Sequence, residues 1–121
     1  MQHDYKEGTN ISPHIHWSPS STASGNVKWQ MTYSWVNKTG AFGSGTTASK
    51  TVAATGTVGS HIYTTFAPIA GSGKEIGSII ALRLFRDSGD GSDTYEDDAI
   101  FLDFGIHYQC DSIGSREAGS K

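Results

Sequence analysis

His14 and His16 stand two residues apart in Pro13-His14-Ile15-His16-Trp17, a spacing that puts both imidazoles on one face of an extended strand. Two imidazoles projecting together are half of a β-sheet metal site. Asp103 and His107 offer the other half, since two histidines and a carboxylate suit an open iron(II) site. The chemistry would be that of a cupin-like, metal-dependent enzyme centred on His14, His16, Asp103 and His107. Such an enzyme carries a glutamate shortly after its histidine pair, whereas Ser18, Pro19, Ser20 and Ser21 follow here. The plainer alternative is a sheet face whose histidines meet solvent or another subunit.

A second candidate is the run from Asp87 to Asp93, followed by Glu96, Asp97 and Asp98. Asp87, Asp90 and Asp93 on a glycine-containing turn resemble an oxygen-rich calcium loop. Their order matches neither an EF-hand nor a glycine-rich nonapeptide, and Asp and Gly also gather in turns for conformational reasons alone. Gly71-Ser72-Gly73-Lys74 has the outline of a phosphate loop. Pro68 stands where its first glycine belongs, however, and Glu75 where a hydroxyl must meet magnesium, so it reads as a turn. Cys110 is the single cysteine and excludes an intrachain disulfide. Its position in the apolar phase of a strand predicts a buried structural thiol. Trp17, Trp29, Tyr33 and Trp35 are either a flat platform for sugars or part of a core or subunit interface. The phase that Trp29, Tyr33 and Trp35 share with Val27 and Met31 favours the latter. No motif implies a cofactor.

Strands have to position all of these groups. Gly, Ser and Thr supply 15, 16 and 12 of the 121 residues, hydrophobic residues 36% and charged residues 17%, a composition that excludes a helical bundle. Val27, Trp29, Met31, Tyr33 and Trp35 alternate with polar residues and predict a half-buried strand. Ile11, Pro13, Ile15 and Trp17 alternate with Ser12, His14 and His16 and predict another, with Pro13 near a sheet edge or at the start of the strand. The Ser18–Asn26 gap reads as a hairpin loop that makes these two strands antiparallel neighbours. Residues 37–60 form a Gly/Ser/Thr-rich excursion with at most a weak strand near 50–58. His61–Phe66 is a short strand, and Ile76–Arg86, apolar on both faces, is expected at the centre of a sheet. Ile100, Leu102, Phe104, Ile106, Tyr108 and Cys110 are expected on one face of a last strand. An extended polar tail spans 111–121. One all-β domain over 1–121 follows, an antiparallel β-sandwich of jelly-roll type, completed by or trimerised with other subunits. The net charge of −3 gives no basis for nucleic-acid binding, and with no apolar run near the roughly 20 residues of a membrane span, no membrane partner is expected and the chain is expected to be soluble.

Several blocks of the sequence are familiar as text. They are His3-Asp4-Tyr5-Lys6-Glu7-Gly8-Thr9, Pro13-His14-Ile15-His16-Trp17, Val27-Lys28-Trp29, Arg83-Leu84-Phe85-Arg86, Asp93-Thr94-Tyr95, and His107-Tyr108 leading to Asp111-Ser112-Ile113-Gly114-Ser115-Arg116-Glu117. Together they resemble a family of small structural proteins of tailed bacteriophages. The resemblance implies a virion β-sandwich without catalytic residues, used as head decoration or in tail and fibre appendages. It implies a homo-oligomer, expected to be a trimer, on the particle surface beside other virion proteins such as the major capsid protein, with host cytoplasm as the place of assembly. Members of that family carry further strands before the block at His3, so the resemblance also implies a sheet edge completed by another chain. The decoration role leads, with a glycan-binding, receptor-binding fibre domain and the cupin-like enzyme as alternatives.

Overall fold

The computed structural model describes residues 1–114. It contains six strands: β1 (Ser12–Pro19), β2 (Asn26–Val36), β3 (Thr46–Ala53), β4 (Ile62–Thr65), β5 (Ile79–Arg86) and β6 (Ala99–His107). No helix occurs among the described residues. The strands form two antiparallel three-stranded sheets ordered β4-β1-β6 and β3-β2-β5. Packed on each other, these sheets make a small all-β sandwich, with six strands where a full jelly roll has eight.

Alternation on β1 and β2 builds the interior. Ile15 and Trp17 of one sheet and Val27, Trp29, Met31 and Trp35 of the other are buried, and the Trp17 and Trp29 rings meet across the sandwich at 5.9 Å between centroids. Burying aromatic and branched side chains of this size is the main force holding the sheets together. Tyr5, Ile11, Phe66, Ile69, Ile76 and Tyr95, all from outside the strands, close the remaining openings of the core.

Connectivity departs from the sequence reading. β1 and β2 do not pair, because residues 20–25 carry the chain from one sheet to the other, and the only hairpin among the six strands is β2–β3. Gly25 makes that crossing possible at φ +139°, where a Cβ would lie 2.7 Å from the Tyr95 Cα. β1 is central rather than at an edge. Pro13 is tolerated as its second residue, and the Pro13 carbonyl accepts a hydrogen bond from the Phe66 N–H at 3.0 Å. β5 in turn is an edge strand. Its Ile80, Leu82 and Leu84 pack on the core while Ile79 is 60% exposed, so apolar residues on both faces did not mean burial on both. Within 37–60, β3 is a regular strand that begins earlier than expected and pairs with β2 over eight residues. Its Thr, Ser and Lys side chains suit an edge with one wet face.

β6 carries a bulge. His16 pairs with Asp103 but Trp17 pairs with Phe101, leaving Leu102 as the extra residue. Alternation therefore fails there. Phe104 and Ile106 pack on the core, but Ile100, Phe101 and Leu102 stand 49%, 48% and 54% exposed in a row. The strand ends at His107. Cys110 lies beyond it in an isolated bridge to Tyr5 and is exposed, which corrects the expectation of a buried thiol. Of the tail at 111–121, residues 115–121 lie outside the described residues.

Candidate functional site

The outer face of the β4-β1-β6 sheet gathers four histidines. His14 and His16 point away from Ile15 and Trp17 on the central strand. Register sets Thr65 and Gly105 beside His14, Tyr63 and Asp103 beside His16, and His107 beside Ser12. Gly105 is needed at its position because the His14 ring lies over it, and a Cβ there would meet His14 Nε2 at 2.5 Å. Tyr63 and His107 reach over His14 from the two flanking strands, the phenol oxygen 3.5 Å from His107 Nε2. Ring centroids lie 4.9 Å from His14 to Tyr63 and 4.7 Å from His14 to His107. This roof leaves His14 only 9% exposed although it sits on an outer face. Its Nδ1 is buried without a hydrogen-bond partner. Burial, and then the neighbouring His107 and His16, lower the His14 pKa below the usual histidine value.

His14, His16 and His107 are thus brought together, but Asp103 is not part of a converging set. Its carboxylate accepts a hydrogen bond from the Phe104 N–H at 2.9 Å. Among the described residues, no three His, Cys, Asp or Glu side chains converge on a point that a metal ion would occupy. The His14, His16, Asp103 and His107 quartet therefore does not form the expected cupin-like centre. Between the sheets, Trp17, Trp29 and Met31 are buried in the core. A partner that the sequence reading missed is His61, just before β4. Its Nε2 lies 2.5 Å from His16 Nδ1, and only strand pairing places it there.

The acidic segment between β5 and β6 is organised from within the chain. Arg86 Nε and Nη2 donate to the two oxygens of Asp93 at 2.9 and 2.8 Å, and Nη1 donates to the Asp97 carbonyl at 2.6 Å; Nη2 also donates to the Tyr95 carbonyl. Asp93 accepts a further bond from the Lys28 N–H at 2.9 Å, and its side chain is only 2% exposed. Lys28 Nζ donates to Asp90 at 2.8 Å and lies 3.7 Å from Asp87. The three aspartates of the expected calcium loop thus already face protein cations. Hydrogen bonds from Lys28 and Arg86 hold the Asp90 and Asp93 carboxyls below the usual aspartate range. Arg86 and Lys28 were not legible as partners of this loop, because they lie on neighbouring strands of the other sheet.

The four aromatic residues of the expected platform lie inside. Trp17, Trp29 and Trp35 are buried and Tyr33 packs partly buried against them, so none is an exposed sugar platform. Trp17 Nε1 donates to Thr64 Oγ1 at 3.0 Å and Trp35 Nε1 to Ser78 Oγ at 2.8 Å. Gly71 and Lys74 form a turn closed by the Lys74 N–H on the Gly71 carbonyl at 2.9 Å, while Lys74 Nζ donates to the Trp35 carbonyl at 2.6 Å. The segments around Asp4 and Tyr108 meet as well. Tyr108 donates to Asp4 at 3.0 Å, the Cys110 thiol faces the same carboxylate at 3.5 Å, and burial followed by the bond to Asp4 pushes the Tyr108 phenol up.

Blocks distant in the sequence therefore meet at two junctions. Val27-Lys28-Trp29, Arg83-Leu84-Phe85-Arg86 and Asp93-Thr94-Tyr95 join at the ion-pair loop, and the blocks at His3 and His107 join at Asp4. Comparison of the chain with family models, with curated proteins and with solved structures finds no match in any of the three.

Proposed function

We propose that the chain is a non-enzymatic structural protein of a bacteriophage particle, a decoration subunit that seats on the outer shell as a trimer. The observation that carries the docking part is the β6 edge. Ile100, Phe101 and Leu102 stand about half exposed on a strand that, among the described residues, has no paired neighbour on one side. Monomeric proteins blunt such edges with charge or cover, and an open apolar edge is a template for another chain. The phage setting rests on the resemblance of the blocks named above. In this role the protein adds buried area across boundaries between capsid subunits and so resists internal pressure from the genome. The major capsid protein is the partner, and assembly takes place in the host cytoplasm.

Native mass spectrometry of the purified chain tests the assembly state. A trimer is expected, and Phe101→Lys with Leu102→Lys should release folded monomers. A monomeric wild type that fails to bind capsid shells overturns the proposal. On particles, loss of the protein should lower resistance to heat and chelation. Unchanged particle stability together with lost adsorption would reassign it to a fibre or receptor-binding appendage.

A further inference from the structure

His16 Nδ1 and His61 Nε2 face each other at 2.5 Å on the outside of the β4-β1-β6 sheet. At this distance the two nitrogens share one N–H, donated by whichever ring's tautomer places it there, and with both ring protons on the far nitrogens the two lone pairs converge on one point. Next to the pair, the His14 ring stands edge-on to His16, at 86° and 5.1 Å between centroids, and its buried Nδ1 has no partner.

We infer that His16 and His61 form a two-imidazole clamp for one divalent transition-metal ion of the zinc, nickel or copper type, with water in the remaining positions. Imidazole nitrogen suits these ions, whereas calcium and magnesium want oxygen. The nearest carboxylate, Asp103, is engaged by the Phe104 N–H. With bonds of about 2.0–2.1 Å, a tetrahedral ion holds two nitrogens about 3.3 Å apart, so the rings need to part by less than about 1 Å. His61 is exposed and lies in the link before β4, outside the strand pairing. Crowded between His14, His61 and Tyr63, the His16 ring keeps its orientation toward the ion. The clamp ties β4, a strand of only four residues, to the central strand.

The test uses the full chain without added histidines, titrated with zinc chloride in a calorimeter, beside His61→Ala, His61→Asn and His107→Ala. One zinc per wild-type chain is expected. Both His61 variants should weaken binding by about 100-fold or more, as loss of a direct ligand exceeds the usual effect of an outer-shell partner. His107→Ala should bind like the wild type. Zinc should also raise the melting temperature of the wild type and of His107→Ala but of neither His61 variant, since an ion that binds only the folded state stabilises it. Absence of zinc binding in the wild type, undiminished binding in the His61 variants, or equal loss in His107→Ala would each overturn the inference.

Discussion

At the scale of single residues, the interior of this sandwich is held by a few polar contacts as well as by its aromatic rings. Trp17 is fully buried, and its indole N–H is satisfied by Thr64, also buried. Thr64→Val keeps the shape and removes the acceptor, so it should destabilise the fold by about 1–3 kcal/mol, measured by chemical denaturation. Gly105→Ala is the matching test on the outer face. The added methyl must displace the His14 ring, and the expected result is a loss of roughly 1–3 kcal/mol together with shifted His14 imidazole resonances. Unchanged His14 signals would show that the ring does not rest on Gly105.

Elements depend on one another through the ion-pair loop, which couples β2, β5 and the approach to β6. Arg86 and Asp93 are mutually bidentate, and Asp93 is nearly inaccessible, so Asp93→Asn leaves a charged guanidinium poorly matched. A loss of roughly 2–3 kcal/mol is expected near neutral pH. Because the folded state lowers the Asp93 pKa, the stability it contributes is complete above the ordinary aspartate value of about 3.9 and disappears as the pH falls through the lowered folded value. The gap in melting temperature between wild type and Asp93→Asn should therefore narrow on acidification below about pH 4. A gap that stays constant to low pH would show that the carboxylate charge does not support the loop. Gly25 belongs to the same scale. Gly25→Ala should prevent the β1–β2 crossing from closing over Thr94 and Tyr95, seen as loss of soluble folded protein.

For the whole molecule, the two sheets differ in what their outer sides offer. One presents histidines and a tyrosine across β4, β1 and β6, and the open edge of that same sheet presents the apolar row on β6. A polar face beside an apolar edge fits the proposed subunit, which pairs along one side and keeps another in water. Phe101→Lys with Leu102→Lys separates the two properties: assembly should be lost while zinc binding at His16 and His61 persists, read by native mass spectrometry with and without zinc.

The sequence alone determined the class of fold, since alternation over Val27–Trp35 and Ile11–Trp17 and the wealth of Gly, Ser and Thr leave little choice but short strands. It also determined that Trp29 and Trp35 face inward, because they share a phase with Val27 and Met31. Pairing was not legible. Alternation shows which way a side chain points on its own strand but not which strand lies alongside, and four of the five links here change sheets. For that reason only the tertiary structure joined His61 to His16, placed Lys28 and Arg86 on the aspartates expected to hold calcium, and gave the Asp103 carboxylate to the Phe104 N–H. The bulge at Leu102 was hidden for a related reason. One extra residue shifts every later side chain to the opposite face, and only the partner strand shows that the shift has occurred.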